Sequence, residues 1–177
     1  MMGGAGVGKG TFSRMLMERL PFEYIETGAL LRGAPPDSEI ARTLAAGNLV
    51  PNNLVCDLIQ SKITPNTDII LDGFPRNLAQ AKWLVKNYAT KYDIHVIFLD
   101  VPYDVMVTRI QKRVHDGSTR RDDASIDVIN HRLENFRNIT LPAIKWLNTA
   151  RGINFSRIDA TGAATDNFRD IWTALHQ

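Results

Sequence analysis

Cysteine is nearly absent from this sequence. Cys56 stands alone, so no internal disulfide can form and no cysteine-based structural zinc site can be assembled. Long hydrophobic runs are missing as well. No stretch approaches the roughly 20 apolar residues of a membrane-spanning helix, and no secretory leader precedes the first motif, so a cytoplasmic protein without a membrane partner is expected. Charge of one sign is scarce: a formal net charge of +2 over 177 residues is too small to argue for nucleic acid as a partner. Repeats and low-complexity tracts are also lacking. What remains, 44% apolar and 23% charged, describes one ordinary globular domain over residues 1–177. No oligomerisation signal is legible, and a monomer is expected.

The one strongly biased stretch is Gly3-Gly4-Ala5-Gly6-Val7-Gly8-Lys9-Gly10-Thr11, with five glycines in eight positions. Glycines let backbone N–H groups converge where side chains would block the approach, and Lys9 adds a cation. The apolar-periodic run from Phe12 to Leu20 reads as a helix whose N-terminus faces the same spot. A polyphosphate suits that combination, with Lys9 on the outer phosphates and Thr11 beside a magnesium ion. Arginine outnumbers lysine 14 to 7, and six arginines lie between Arg109 and Arg137. The planar guanidinium fork suits bidentate phosphate contacts.

Short apolar runs alternate with helical patterns, the rhythm of a parallel α/β sheet. Strands are expected at 22–26, 68–72, 94–100 and 153–159. Helices are expected near 10–20, 38–46, 52–63, 78–90, 103–115, 125–137, 140–150 and 165–175. A phosphate loop of this kind normally follows a buried strand, yet only Met1 and Met2 precede Gly3. The expectation is a chain that starts inside a longer one, or a central strand reduced to a stub.

Asp72-Gly73-Phe74-Pro75-Arg76 follows the buried-strand run Ile69-Ile70-Leu71. The carboxyl ends of such strands gather ligands in open α/β sheets, and a carboxylate there can hold magnesium beside phosphates. Gly73 and Pro75 force a turn that presents Arg76 to the same crevice. With Gly10 between Lys9 and Thr11, and with Gln80 four residues after Arg76, the two motifs resemble the adenylate kinase family. Thr27-Gly28-Ala29-Leu30-Leu31-Arg32, Gly47-Asn48-Leu49-Val50-Pro51 and Arg109-Ile110-Gln111-Lys112-Arg113 extend the resemblance, with Ala29 where the family usually has aspartate.

That resemblance implies a three-layer P-loop α/β fold with a parallel sheet, a small acceptor lobe over 28–51 and a short lid over 114–123. It implies magnesium-dependent phosphoryl transfer from ATP to AMP, giving two ADP. Gly4, Ala5, Gly6, Val7, Gly8, Lys9, Gly10 and Thr11 would hold ATP, with Arg109 stacked on its base, Arg113 on phosphate and backbone near Gly162 reading the base. Thr27, Gly28, Arg32, Val50, Gly73, Arg76, Gln80, Arg121 and Arg132 would hold AMP, Arg120 competing with Arg121 for the lid position. Lys9, Arg76, Arg113, Arg121 and Arg132 would surround the moving phosphoryl group, while Thr11 and Asp72 manage the metal. A UMP/CMP kinase shares every phosphate-directed feature. Gln80 and Thr27 favour AMP over the pyrimidine nucleotides, which that branch reads with asparagine and alanine. A nucleotide-binding protein that kept the fold and lost transfer is the reading from a different class.

Overall fold

Successive residues of a strand point to opposite faces, and the run from Ile94 to Asp100 buries both of them. Val96 and Phe98 join one apolar cluster while Ile97 and Leu99 join another. A strand covered on both sides needs helices on both sides, and this requirement organises the molecule. The structure, a computed structural model, describes residues 1–115 and 125–176.

In chain order the described elements are α1 (Lys9–Met17), β1 (Glu23–Glu26), α2 (Thr27–Arg32), α3 (Glu39–Ala45), α4 (Asn52–Gln60) and β2 (Ile69–Asp72). Then come α5 (Leu78–Tyr88), β3 (Ile94–Asp100), α6 (Tyr103–His115), α7 (Ile126–Asn135), a π-helical turn (Phe136–Thr140), α8 (Leu141–Leu147), β4 (Ile153–Asp159) and α9 (Ala164–Leu175). β1 pairs with β2 in parallel, Glu26 opposite Asp72, and β3 pairs with β4 in parallel, Asp100 opposite Asp159. On one face Phe12 and Leu16 of α1 meet Phe168 and Ile171 of α9 above Ile70, Ile97 and Leu99. On the other, Ala81 of α5 and Ala143, Ile144 and Leu147 of α8 cover Val96 and Phe98. This is the expected three-layer α/β arrangement.

Met1 and Met2 join the two strand pairs. The Met1 amine donates to the Leu71 carbonyl at 2.9 Å, and the Gly73 N–H donates to the Met1 carbonyl at 3.2 Å. Met2 N–H donates to Ile97 (2.8 Å) and accepts through its carbonyl from Leu99 N–H (2.9 Å), a parallel bridge to Phe98. The spatial order is therefore β1, β2, Met1–Met2, β3, β4, with two residues in the central position. Beside Met1, between Ile69–Leu71 and Ile94–Ile97, lies a cavity of about 450 Å³ with mostly apolar walls.

Two expectations need correction. No helix is expected over 27–32, yet Thr27–Arg32 forms α2, capped by the extended backbone of Glu26. Its six residues are too few to stand alone, and packing of Thr27, Gly28 and Leu31 supplies what propensity does not. The expected break between 137 and 140 is a π-helical turn that carries α7 into α8. Pro142 sits in the first turn of α8 and cannot donate an i→i−4 bond, so the ladder widens just before it.

Candidate functional site

Glycine geometry shapes the floor of the site. Gly3, Gly6 and Gly8 have φ of 145°, 77° and 96°, values that side chains disfavour. A Cβ at Gly4 would collide with the Met106 sulfur, so the loop is pressed against α6. Gly8 is the N-cap of α1, and the Lys9 ammonium folds back over the loop, donating to the carbonyls of Gly3 (3.0 Å) and Gly4 (2.7 Å). The backbone N–H groups left over at the start of α1 and the Lys9 charge make this an anion cradle.

Asp72 ends β2 and is 4% exposed. Its carboxylate accepts a 2.8 Å hydrogen bond from the Tyr24 hydroxyl. Burial, and then the Asp72 charge itself, push the Tyr24 phenol well above its ordinary value, so it stays a donor. The Gly10 Cα lies close by, since a Cβ there would be 3.7 Å from Asp72 Oδ2. Hard oxygen ligands beside a phosphate cradle suit magnesium, and the Thr11 hydroxyl stands one residue further along α1.

Arg76 is held along its whole length. Its Nε donates to the Gly73 carbonyl (2.8 Å), its N–H donates to Gln80 Oε1 (2.8 Å), and its carbonyl accepts from the Thr140 hydroxyl (2.8 Å). Gln80 in turn donates to Asn52 (3.0 Å), so α5, α4 and the π-helical turn fix the Arg76 backbone while the turn after β2 takes its guanidinium. Arg32 donates to Glu26 at 2.7 Å, the support that Ala29 cannot provide. Arg109 donates to the carbonyls of Ala160 (2.9 Å) and Thr161 (3.3 Å), which ties α6 to the loop after β4. In that loop Thr161 donates to Asp159 from both its N–H and its hydroxyl, and those bonds hold the carboxyl below its usual range.

These groups share a cavity of about 330 Å³. Its walls include every residue from Gly3 to Thr11, together with Gly28, Arg32, Asp72, Gly73, Arg76, Arg109, Arg113 and Arg132. Arg76 and Arg132 therefore face the same space as Lys9. Thr27, Val50 and Gln80 are buried at 1%, 4% and 2% exposure and stand outside the cavity lining, as does Gly162. The buried Thr27 hydroxyl has no hydrogen-bond partner among the described residues. Arg120, Arg121 and most of the expected lid lie outside the described residues.

Across the cavity mouth, Asn135 donates to the Gly47 carbonyl (3.0 Å), and the His131 ring lies 2.8 Å from Asn48 Oδ1. Gly47 and Asn48, in the expected acceptor lobe, thus rest on α7. Several lining or supporting residues were not singled out by sequence reasoning: Tyr24, Glu26, Arg14, Asn52, Asn135 and Thr140. Glu26 carried a readable signal, an acid at a strand's carboxyl end. The others depend on contacts between elements far apart in the chain.

A family model described as adenylate kinase matches residues 1–151. The chain is 32% identical over 183 residues to an adenylate kinase of Thermus thermophilus, covering 98% of this chain and 94% of that protein. It is 33% identical over 185 residues to an adenylate kinase of Bacteroides thetaiotaomicron, covering 99% and 96%. It is also 32% identical over 178 residues to a UMP-CMP kinase of Prunus armeniaca, covering 97% and 74%.

Proposed function

This chain belongs to the adenylate kinase family and is a nucleoside monophosphate kinase, and on that premise we propose which side chains carry phosphoryl transfer from magnesium-bound ATP to AMP. The observation that carries the proposal is the shared cavity: a glycine cradle, a strand-end carboxylate and six arginines, from α1, α2, α6, α7 and the turn after β2, line it together. Phosphoryl transfer needs positioning and fixed positive charge more than covalent chemistry, because negative charge spreads over the group in flight.

The loop amides of residues 4–11 hold the donor phosphates, and Lys9 exchanges its carbonyl partners for the outer phosphates. Arg109 flanks the donor base beside the loop at Gly162, and Arg113 contacts phosphate. On the acceptor side Arg32 and Arg76 grip the monophosphate, with Gly28 and Gly73 leaving them room. Arg132, joined by Arg121 from the lid, completes the positive ring. Gln80 and Thr27 stand behind the acceptor wall with the backbone of Val50. Each end of the Gln80 amide retains one valence beyond its present bond, enough to read an adenine edge. Asp72 and Thr11 are the oxygen ligands placed for magnesium, which when bound would neutralise and align the donor phosphates. The lobe 28–51 and the lid 114–123 close to exclude water. A cytoplasmic monomer acting on nucleotides alone, without nucleic acid or membrane, completes the reading.

A kinetic panel tests it. With ATP fixed, AMP is expected to outperform UMP and CMP as acceptor; preference for a pyrimidine nucleotide would transfer the chain to the UMP/CMP branch. Lys9→Met and Arg76→Ala should each lower turnover by far more than tenfold, about 1.4 kcal/mol, with the circular dichroism spectrum preserved. A smaller loss would overturn their roles.

A further inference from the structure

Two guanidinium groups of the proposed acceptor site crowd one glycine. A Cβ built at Gly28 would lie 2.9 Å from Arg32 Nη1 and 3.4 Å from Arg76 Nη2. The two cations therefore converge on the same few ångströms of space, an arrangement suited to holding an anion between them. Arg76 is locked by its own bonds to Gly73 and by the Gln80 and Thr140 contacts to its backbone. Arg32 lies at the C-terminal end of the six-residue α2 and leans back toward the N-terminus, as helical side chains do.

Glu26 meets it there. The carboxylate stands at the end of β1, in register with Asp72, on backbone that also caps α2, so its position is set by the sheet. It takes Arg32 Nη2 at 2.7 Å, both side chains being about one-fifth exposed, and leaves Nη1 turned toward Gly28 and Arg76. We propose that Glu26 is a positioning residue for the acceptor monophosphate: by holding one edge of the Arg32 guanidinium it presents the other edge, with Arg76, as a preformed two-arginine clamp. A free arginine carries about 2 kcal/mol of rotamer entropy, much of which Glu26 removes before the ligand arrives. Its negative charge also offsets repulsion between Arg32 and Arg76. Glu26 touches neither the phosphate nor the reacting atoms in this role. The inference rests on the assignment of Arg32 and Arg76 to the acceptor phosphate.

Equilibrium binding separates the two. AMP and adenosine are titrated calorimetrically, with no donor nucleotide, into the wild-type chain, Glu26→Gln, Glu26→Asp and Arg32→Ala, each checked for folding by thermal melting. Glu26→Gln is expected to weaken AMP on the order of tenfold, as loss of an orienting partner typically does, while adenosine binding stays within about twofold. Glu26→Asp, which keeps the charge on a shorter arm, should recover part of the loss. In the Arg32→Ala background, Glu26→Gln should add almost nothing, because the residue it positions is gone. Unchanged or tighter AMP binding by Glu26→Gln would overturn the inference, the latter revealing a carboxylate that competes with phosphate. Equal losses for AMP and adenosine, or additive losses with Arg32→Ala, would overturn it too. Absence of AMP binding by the wild-type chain would instead remove the acceptor assignment, and this inference with it.

Discussion

At Gly28 the requirements of function and of stability pull in opposite directions. The residue sits in a helix with ordinary backbone angles, where alanine would be favoured by about 0.5–1 kcal/mol. The atoms an added methyl would meet are the ends of two arginines, which can move aside at little cost to the fold. Gly28→Ala is therefore expected to keep or slightly raise the melting temperature while raising the KM for AMP on the order of tenfold, since the clamp is spread. The KM for ATP should stay within a factor of two. Parallel melting curves and initial-rate kinetics on the same preparation check both halves. The value of glycine here is not written in backbone angles: the motif's resemblance places Gly28 with AMP, and the structure adds that two guanidinium groups crowd it. Lys9 and Asp72 are different, because their residue type, neighbours and place at an element's end state their chemistry directly. Cys56 also reads as it folds: burial pushes its thiol up, and it packs as a small apolar side chain.

Among the elements, α5 shows how a cap can serve a site. Asn77 accepts from the Gln80 N–H at 2.9 Å as the N-cap and donates to Asn52 at 2.7 Å. Asn52 also receives the Gln80 amide, whose other end holds the Arg76 N–H. Loss of an N-cap costs about 1 kcal/mol. Asn77→Ala should lower stability by about that amount in urea denaturation, and it should raise the AMP KM more than the ATP KM because the Arg76 turn loosens. Equal effects on both substrates would show that the cap supports only the helix. The positions of α5, β2 and β3 were legible as periodicity and strand runs. Helix α2 was not, because six residues carry too little pattern and their helicity comes from packing of Leu31 into the cluster with Ile25, Val50, Ile59 and Phe74. The π-helical turn escaped for a related reason: Pro142 marks a boundary, but only the packing of α7 and α8 decides that the chain runs on through it.

For the whole molecule, the central position of the sheet rests on Met1 and Met2, and in a 177-residue chain that starts at Met1 the amine is buried there beside the 450 Å³ cavity. Burial lowers its pKa from 8.0 to about 6, against the opposing pull of Asp72 and with a smaller push from Lys9. Between pH 6 and 8 the unfolded chain keeps a proton that the folded chain has released. Unfolding then takes up protons, so stability rises with pH across that window, by about 2–3 kcal/mol in total, and the gain is lost as pH falls to 6. Denaturant melts of the 177-residue chain at half-unit pH intervals should show the slope, and acetylation of the amine should flatten it. A flat profile in the unmodified chain would mean that the amine reaches water.

The phosphate loop, the strand-end carboxylate and the alternation of strands with helices were determined by local sequence, because each depends on residue type and spacing over a few positions. The convergence of Lys9, Arg32, Arg76, Arg109, Arg113 and Arg132 on one cavity could be anticipated only through a resemblance between motifs. Tertiary structure alone decided that Glu26 holds Arg32, that Tyr24 holds Asp72, and that Thr140 and Gln80 frame Arg76. Those contacts join residues brought side by side by parallel strand register and helix packing, and no periodicity within a single segment encodes who meets whom across a sheet.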